Sequence, residues 1–152
     1  MRILRRGDNL DELAGAGVDI AVLYPDERAI VRRSDRNAGS IVLRVAHGDV
    51  AFLLTGDAEK DEEKHLLELD KDQLAATVLK VAHHGSCSST GVEFLRAVAP
   101  AVAVISVGEN DFGHPCDDVL ARLADVQLYR TDQAGTVELT TDGTAVWVRT
   151  ER

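Results

Sequence analysis

The sequence predicts an α/β domain built on a mixed sheet, and three observations carry that expectation. The chain has 152 residues, enough for a single domain, 1–152, with one core. Its residues are 45% hydrophobic and 28% charged, the balance of a chain that folds rather than one that stays disordered. From residue 50 to 131 apolar runs alternate with amphipathic stretches in the order β-α-β-α-β-α-β. Such crossovers make neighbouring strands parallel, with right-handed connections.

The elements follow in order. "VDIAVLYP" (18–25) reads as a strand stopped by Pro25. Residues 26–39 are polar and loop-like. "SIVLRVA" and "VAFLLTG" flank "HGD" (47–49), a hairpin signal. "AEKDEEKHLLEL" (58–69) reads as a helix with Leu66, Leu67 and Leu69 inward, and "ATVLKVA" (76–82) as a strand. "GVEFLRAVA" (91–99) is helical, "AVAVISVG" (101–108) a buried strand, "CDDVLARLAD" (116–125) a helix and "VQLYRT" (126–131) a strand. "GTVELTTDGTAVWVRT" (135–150) reads as a C-terminal hairpin turning at Asp142-Gly143.

Charge narrows the partners. The net charge is −9, with eight acidic and three basic residues in 57–72 alone. That argues against a broad basic surface for non-specific nucleic-acid binding, without excluding a phosphate-bearing partner. Short basic clusters remain at Arg2, Arg5 and Arg6 and at Arg32, Arg33 and Arg36. No apolar run reaches the length of a membrane span, and "MRILRR" is not followed by the apolar stretch of a signal peptide. Cys87 and Cys116 lie far apart with no CxxC, so two free thiols are expected.

The chemistry gathers at strand ends. One predicted strand ends at Gly56-Asp57, the next at "HHGS" (83–86) and the third at "ENDFGHP" (109–115). All three loops leave C-terminal strand ends, so they fall along one edge of the sheet, where sites of open α/β sheets form. Asp and His are donors that a zinc-like ion accepts. A structural role competes at each position. Asp57 reads as the N-cap of the acidic helix. His83 and His84 alternate across a strand end, so one of the two points into the site. "TGVE" (90–93) matches a capping box with Thr90 as cap, which is preferred to a nucleophilic serine. His114 precedes Pro115, a favourable first helical residue, and a helix start favours its neutral form. His47 and His65 read as solvated surface residues.

These segments resemble a known family. "SIVLRVAHGDVAFLLTGDAEKDEE", "LKVAHHGSCSSTGVEFLRAVAP", "AVISVGENDFGHP" and "LYRTDQAGTVELTTDG" are similar, in order and with compatible spacing, to the C-terminal half of the metallo-β-lactamase-fold domain of ComEC-type competence proteins. The resemblance implies half of an αββα sandwich and a metal-dependent phosphodiesterase or nuclease connected with DNA uptake. It implies Asp57 and one of His83 and His84 as ligands of zinc or manganese, with Asp57 bridging two ions and counted with His114 as catalytic. It places His114 beside a substrate phosphate, and Ser86 and Asn110 at the pocket rim. It makes DNA a partner and a membrane-anchored competence protein the setting, on resemblance alone.

The departures matter too. There is no H-x-H and no D-x-D-H in the chain, and "GHPCDD" places Cys116 where the family often has a second histidine. Most metal ligands are therefore absent, and the chain is expected to be incomplete or inactive alone. The competing reading is a non-catalytic interaction module on the same fold. A half-sandwich would bare its inner sheet face, so either residues 1–17, a homodimer or the missing N-terminal half is expected to cover it.

Overall fold

The computed structural model describes residues 4–10, 17–27 and 39–152. Arg2, the cluster Arg32, Arg33 and Arg36, and residues 11–16 lie outside the described residues. In chain order the elements are β1 (Val18–Tyr24), β2 (Val42–His47), β3 (Val50–Leu54), α1 (Lys60–Leu69), β4 (Val78–Lys80), α2 (Val92–Val98), β5 (Val102–Ile105), α3 (Asp117–Arg122), β6 (Gln127–Arg130), α4 (Thr131–Ala134), β7 (Val137–Thr141) and β8 (Val146–Thr150). Short 3-10 turns span Lys71–Gln73 and Ala82–Gly85.

The α/β expectation holds. Six strands form one mixed sheet in the order β1-β2-β3-β4-β5-β6, and β7-β8 form a second, two-stranded sheet. β1, β2 and β3 pair antiparallel; β3 to β6 pair parallel. The parallel half follows from the crossover helices, which return each strand in the same direction.

The two-residue strand period divides the core between two faces. Leu53, Leu79, Ala103 and Ile105 pack with Leu66, Phe94, Val98, Val119 and Leu123 from the helices. Each large apolar side chain fully buried there contributes about 1.5–3 kcal/mol. Val78, Val102 and Val104 face the other way, where Phe52 and Tyr129 join Val137, Leu139, Val146 and Val148 of the hairpin. The face expected to be bare is thus covered over these strands by the chain's own β7-β8. The described N-terminal residues instead run beside β1. Asn9 bridges Ala21, and the Arg6 guanidinium donates two 2.7 Å hydrogen bonds to the buried Asp70 carboxylate.

Several local expectations are corrected. The N-cap of α1 is Glu59, not Asp57, and Glu62 reaches back to accept the Glu59 amide at 3.0 Å. Of the three leucines only Leu66 is fully buried, and Leu69 is exposed. The inward stripe of α1 is Glu62, Glu63 and Leu66, continued by Asp70 after its last turn, a helical spacing that simple apolar counting misses. The N-cap of α2 is Gly91 and not Thr90, whose φ is +54°. The cap comes from another helix: the Glu63 carboxylate accepts the backbone amides of Thr90 and Gly91. α3 starts at Asp117 with Cys116 as N-cap, so Pro115 lies outside the helix. His65 is not a solvated residue, because its Nε2 lies 2.8 Å from Asp26 Oδ2, and His47 is partly buried against Gly17 and Gly143.

Candidate functional site

Three loops converge at the C-terminal edge of β3, β4 and β5, as their strand ends predict. Hydrogen bonds hold them in register. Buried Thr55 donates from Oγ1 to the Lys80 carbonyl at 2.6 Å, and the His83 amide donates to the Gly56 carbonyl at 3.0 Å. These two bonds set the Gly56-Asp57 turn against the histidine pair. The pair itself lies beyond the strand, in left-handed backbone at φ +47° and +55°. The expected alternation of His83 and His84 across a strand end is therefore corrected: β4 stops at Lys80, and both rings reach the edge.

His84 Nε2 lies 3.9 Å from Asp57 Oδ1, and its Nδ1 is 2.6 Å from the Ser106 carbonyl oxygen. A carbonyl oxygen only accepts, so Nδ1 carries a proton, and Nε2 is the ring nitrogen that faces Asp57. His83 sits between the other two histidines, its ring centroid 6.3 Å from that of His84 and 5.6 Å from that of His114. His83 Nδ1 lies 3.0 Å from Glu59 Oε1 without the alignment of a hydrogen bond. His114 Nδ1 is buried and has no hydrogen-bond partner. Burial holds the His114 pKa below the ordinary histidine value, helped by repulsion from His83 and His84, so its neutral form is favoured.

The third loop is built around Asn110. Its Oδ1 accepts the amides of Phe112 and His114 at 3.1 Å each, and its Nδ2 donates to the carbonyls of Gly108 and His114 at 2.8 Å each. Asn110 thus braces the loop. Ser86 is buried, its Oγ 2.9 Å from Ser88 Oγ, so of the two residues expected at the rim it is held within its own loop.

A covalent tie joins the second and third loops. Cys87 and Cys116 form a disulfide with their Cα atoms 5.3 Å apart, which corrects the expectation of two free thiols. Twenty-nine residues separate them in sequence, yet β4 and β5 are neighbours in the sheet, so their strand-end loops meet. The Cys116 amide also donates to the Gly85 carbonyl at 2.8 Å. Gly85 is required there: at φ +81° a Cβ would approach the Cβ of Pro115 to 2.7 Å.

Sequence reasoning missed three residues at this edge, Glu59, Lys80 and Phe112, and the Cys87–Cys116 bond. Lys80 is largely buried, which lowers its pKa, while Asp57 raises it. Its signal was present, as the one charged residue in "ATVLKVA". Asp57 and His84 are each about half exposed, at 48% and 50%, so the edge is open to solvent.

The fold and this edge define an α/β domain with a histidine–carboxylate cluster at parallel strand ends. No family model matches the chain. Among curated proteins the chain is 40% identical over 108 residues to ComE operon protein 3 of Bacillus subtilis, covering 69% of this chain and 14% of that protein. It is 39% identical over 125 residues to Competence protein ComA of Neisseria gonorrhoeae, covering 80% and 18%. It is 40% identical over 109 residues to Recombination protein 2 of Haemophilus influenzae, covering 70% and 13%. These homologues are ComEC-type competence proteins, as the resemblance implied, and the chain spans less than a fifth of their length. Among the described residues no helix is long and apolar enough to cross a membrane.

Proposed function

We propose that this chain is the C-terminal half of a metallo-β-lactamase-type αββα sandwich within a competence-type protein. Its histidine edge is part of a metal-dependent phosphodiesterase or nuclease centre. The observation that carries this reading is the meeting of Asp57, His83, His84 and His114 from three loops on one open edge.

The donor chemistry suits zinc or manganese. Asp57 and His84 would hold the ion: His84 donates Nδ1–H to a backbone carbonyl, the arrangement that orients a metal-binding imidazole. A bound ion would supply an activated water and polarise a phosphodiester. His114, kept neutral, would exchange a proton through Nε2, since its Nδ1 is buried. Lys80 adds a positive charge beside Asp57 for an anionic substrate. The remaining ligands would come from a further segment or from a second copy, since this chain has no H-x-H. The two-stranded β7-β8 sheet leaves edges where such a half would add strands. The disulfide suits an oxidising compartment.

A non-catalytic interaction module is the second reading, and one observation favours it. Among the described residues no three His, Cys, Asp or Glu side chains are gathered as a metal-binding group. Plasma mass spectrometry of the purified chain separates the two. The proposal expects about one zinc or manganese per chain, lost in Asp57→Ala and in the His83→Ala/His84→Ala double variant. Wild-type protein that stays metal-free after supplementation would sink the metal centre and leave the module.

A further inference from the structure

We infer that Phe112 is a substrate-binding residue, an aromatic platform on which an unpaired base of a single nucleic-acid strand stacks beside the histidine cluster. The inference rests on the reading of this edge as a phosphodiester site and adds to it the part of the substrate that is recognised.

Phe112 is 82% exposed, more than any other large hydrophobic residue described. It contributes nothing to either core cluster, so packing does not explain it. Its loop is nonetheless tightly specified. The Phe112 amide is bound by Asn110, and the same side chain holds His114 on the other side of Gly113. The ring is stacked near the His114 ring, with centroids 6.0 Å apart and planes 24° from parallel. One face of the ring therefore adjoins His114, while the rest of the side chain meets water. An aromatic face fixed in that position is suited to a planar group, because every base has a π-face and stacking needs no matching charge.

Charge works against the phosphates here and leaves the bases as the part to be held. The chain carries −9 overall, and Glu109 and Asp111 flank the platform in sequence. Recognition through a basic groove along the phosphates is therefore disfavoured, and ring stacking is the contact this surface offers. Protein and peptide ligands would instead use the exposed ring as a simple apolar contact, and then neither strand binds.

The experiment is equilibrium binding with chelator-treated protein at about 0.15 M salt, where exposed charges are screened beyond about 8 Å. The probes are a fluorescent oligothymidylate of about ten nucleotides and an abasic strand of equal length. Wild type is expected to prefer the thymidine strand by about 5- to 100-fold. Phe112→Ala removes that preference while leaving circular dichroism and melting unchanged, and Phe112→Trp retains it. Equal affinity of wild type for both strands, no binding of either, or an unchanged preference in Phe112→Ala would overturn the inference. No turnover or metal is involved, so a failed metal measurement leaves this result standing. Metal uptake through Asp57 and His84 with no Phe112 effect would overturn the stacking alone.

Discussion

Cys87 and Cys116 are disulfide-bonded, and the bond ties the loop carrying His83 and His84 to the loop carrying His114. Without it the two loops meet through the Cys116-to-Gly85 backbone hydrogen bond and the packing of Pro115 on Gly85. A loop closed over this separation restrains the unfolded chain by about 3–4 kcal/mol. Reduction, or Cys87→Ala with Cys116→Ala, is expected to lower the unfolding free energy by about that amount in urea melts. Thiol titration of the unreduced, unfolded protein should find no free thiol. Two free thiols there would show that the bond does not form.

The Glu63 carboxylate caps α2 from α1, and burial pushes its pKa up to about 7 against the opposing pull of the Thr90 and Gly91 amides and Arg122. Glu63→Ala leaves two amides unpaired and is expected to cost about 2–4 kcal/mol. The pH effect has a definite sign. Between its ordinary value of 4.5 and about 7, the unfolded chain has released this proton while the folded chain keeps it. The Glu63 contribution to stability is therefore full below 4.5 and declines as pH rises toward about 7. Urea unfolding at intervals across that window should show a downward component in wild type that is absent in Glu63→Gln.

The two hairpin turns are coupled at Gly48. Its φ is +56°, and an added Cβ would meet the Gly143 carbonyl oxygen at 2.5 Å, while the Asp49 amide donates to that same oxygen at 2.7 Å. Gly48→Ala is expected to destabilise the fold by about 1–3 kcal/mol and to loosen β7-β8 from the sheet. Hydrogen exchange should show faster exchange in 137–150 than in β3 to β5. A uniform change would mean that the turn contact does not hold the hairpin.

Much of the site was legible before the fold was seen. Alternating apolar runs demand parallel strands, and parallel strands place their C-terminal loops along one edge. That topological rule brings Asp57, His83, His84 and His114 together without knowledge of any distance. Other features were not legible, because they depend on partners far away in sequence. Glu63 looked like a solvent-facing charge until α1 packed on α2. Thr90 matched a local capping pattern, yet the α2 cap is supplied from 27 residues away. Cys87 and Cys116 carried no spacing signal, since the bond follows from the adjacency of β4 and β5.

The sequence by itself determined the element order, the parallel half of the sheet and the edge where the donors gather, because the periods of strands and helices are local properties. Only the tertiary structure decided which buried carboxylate caps which helix, that the hairpin covers the second face, and that two distant cysteines bond. Those outcomes depend on which surfaces meet, and burial is what sets the energy of a charge, an apolar face or an unpaired amide.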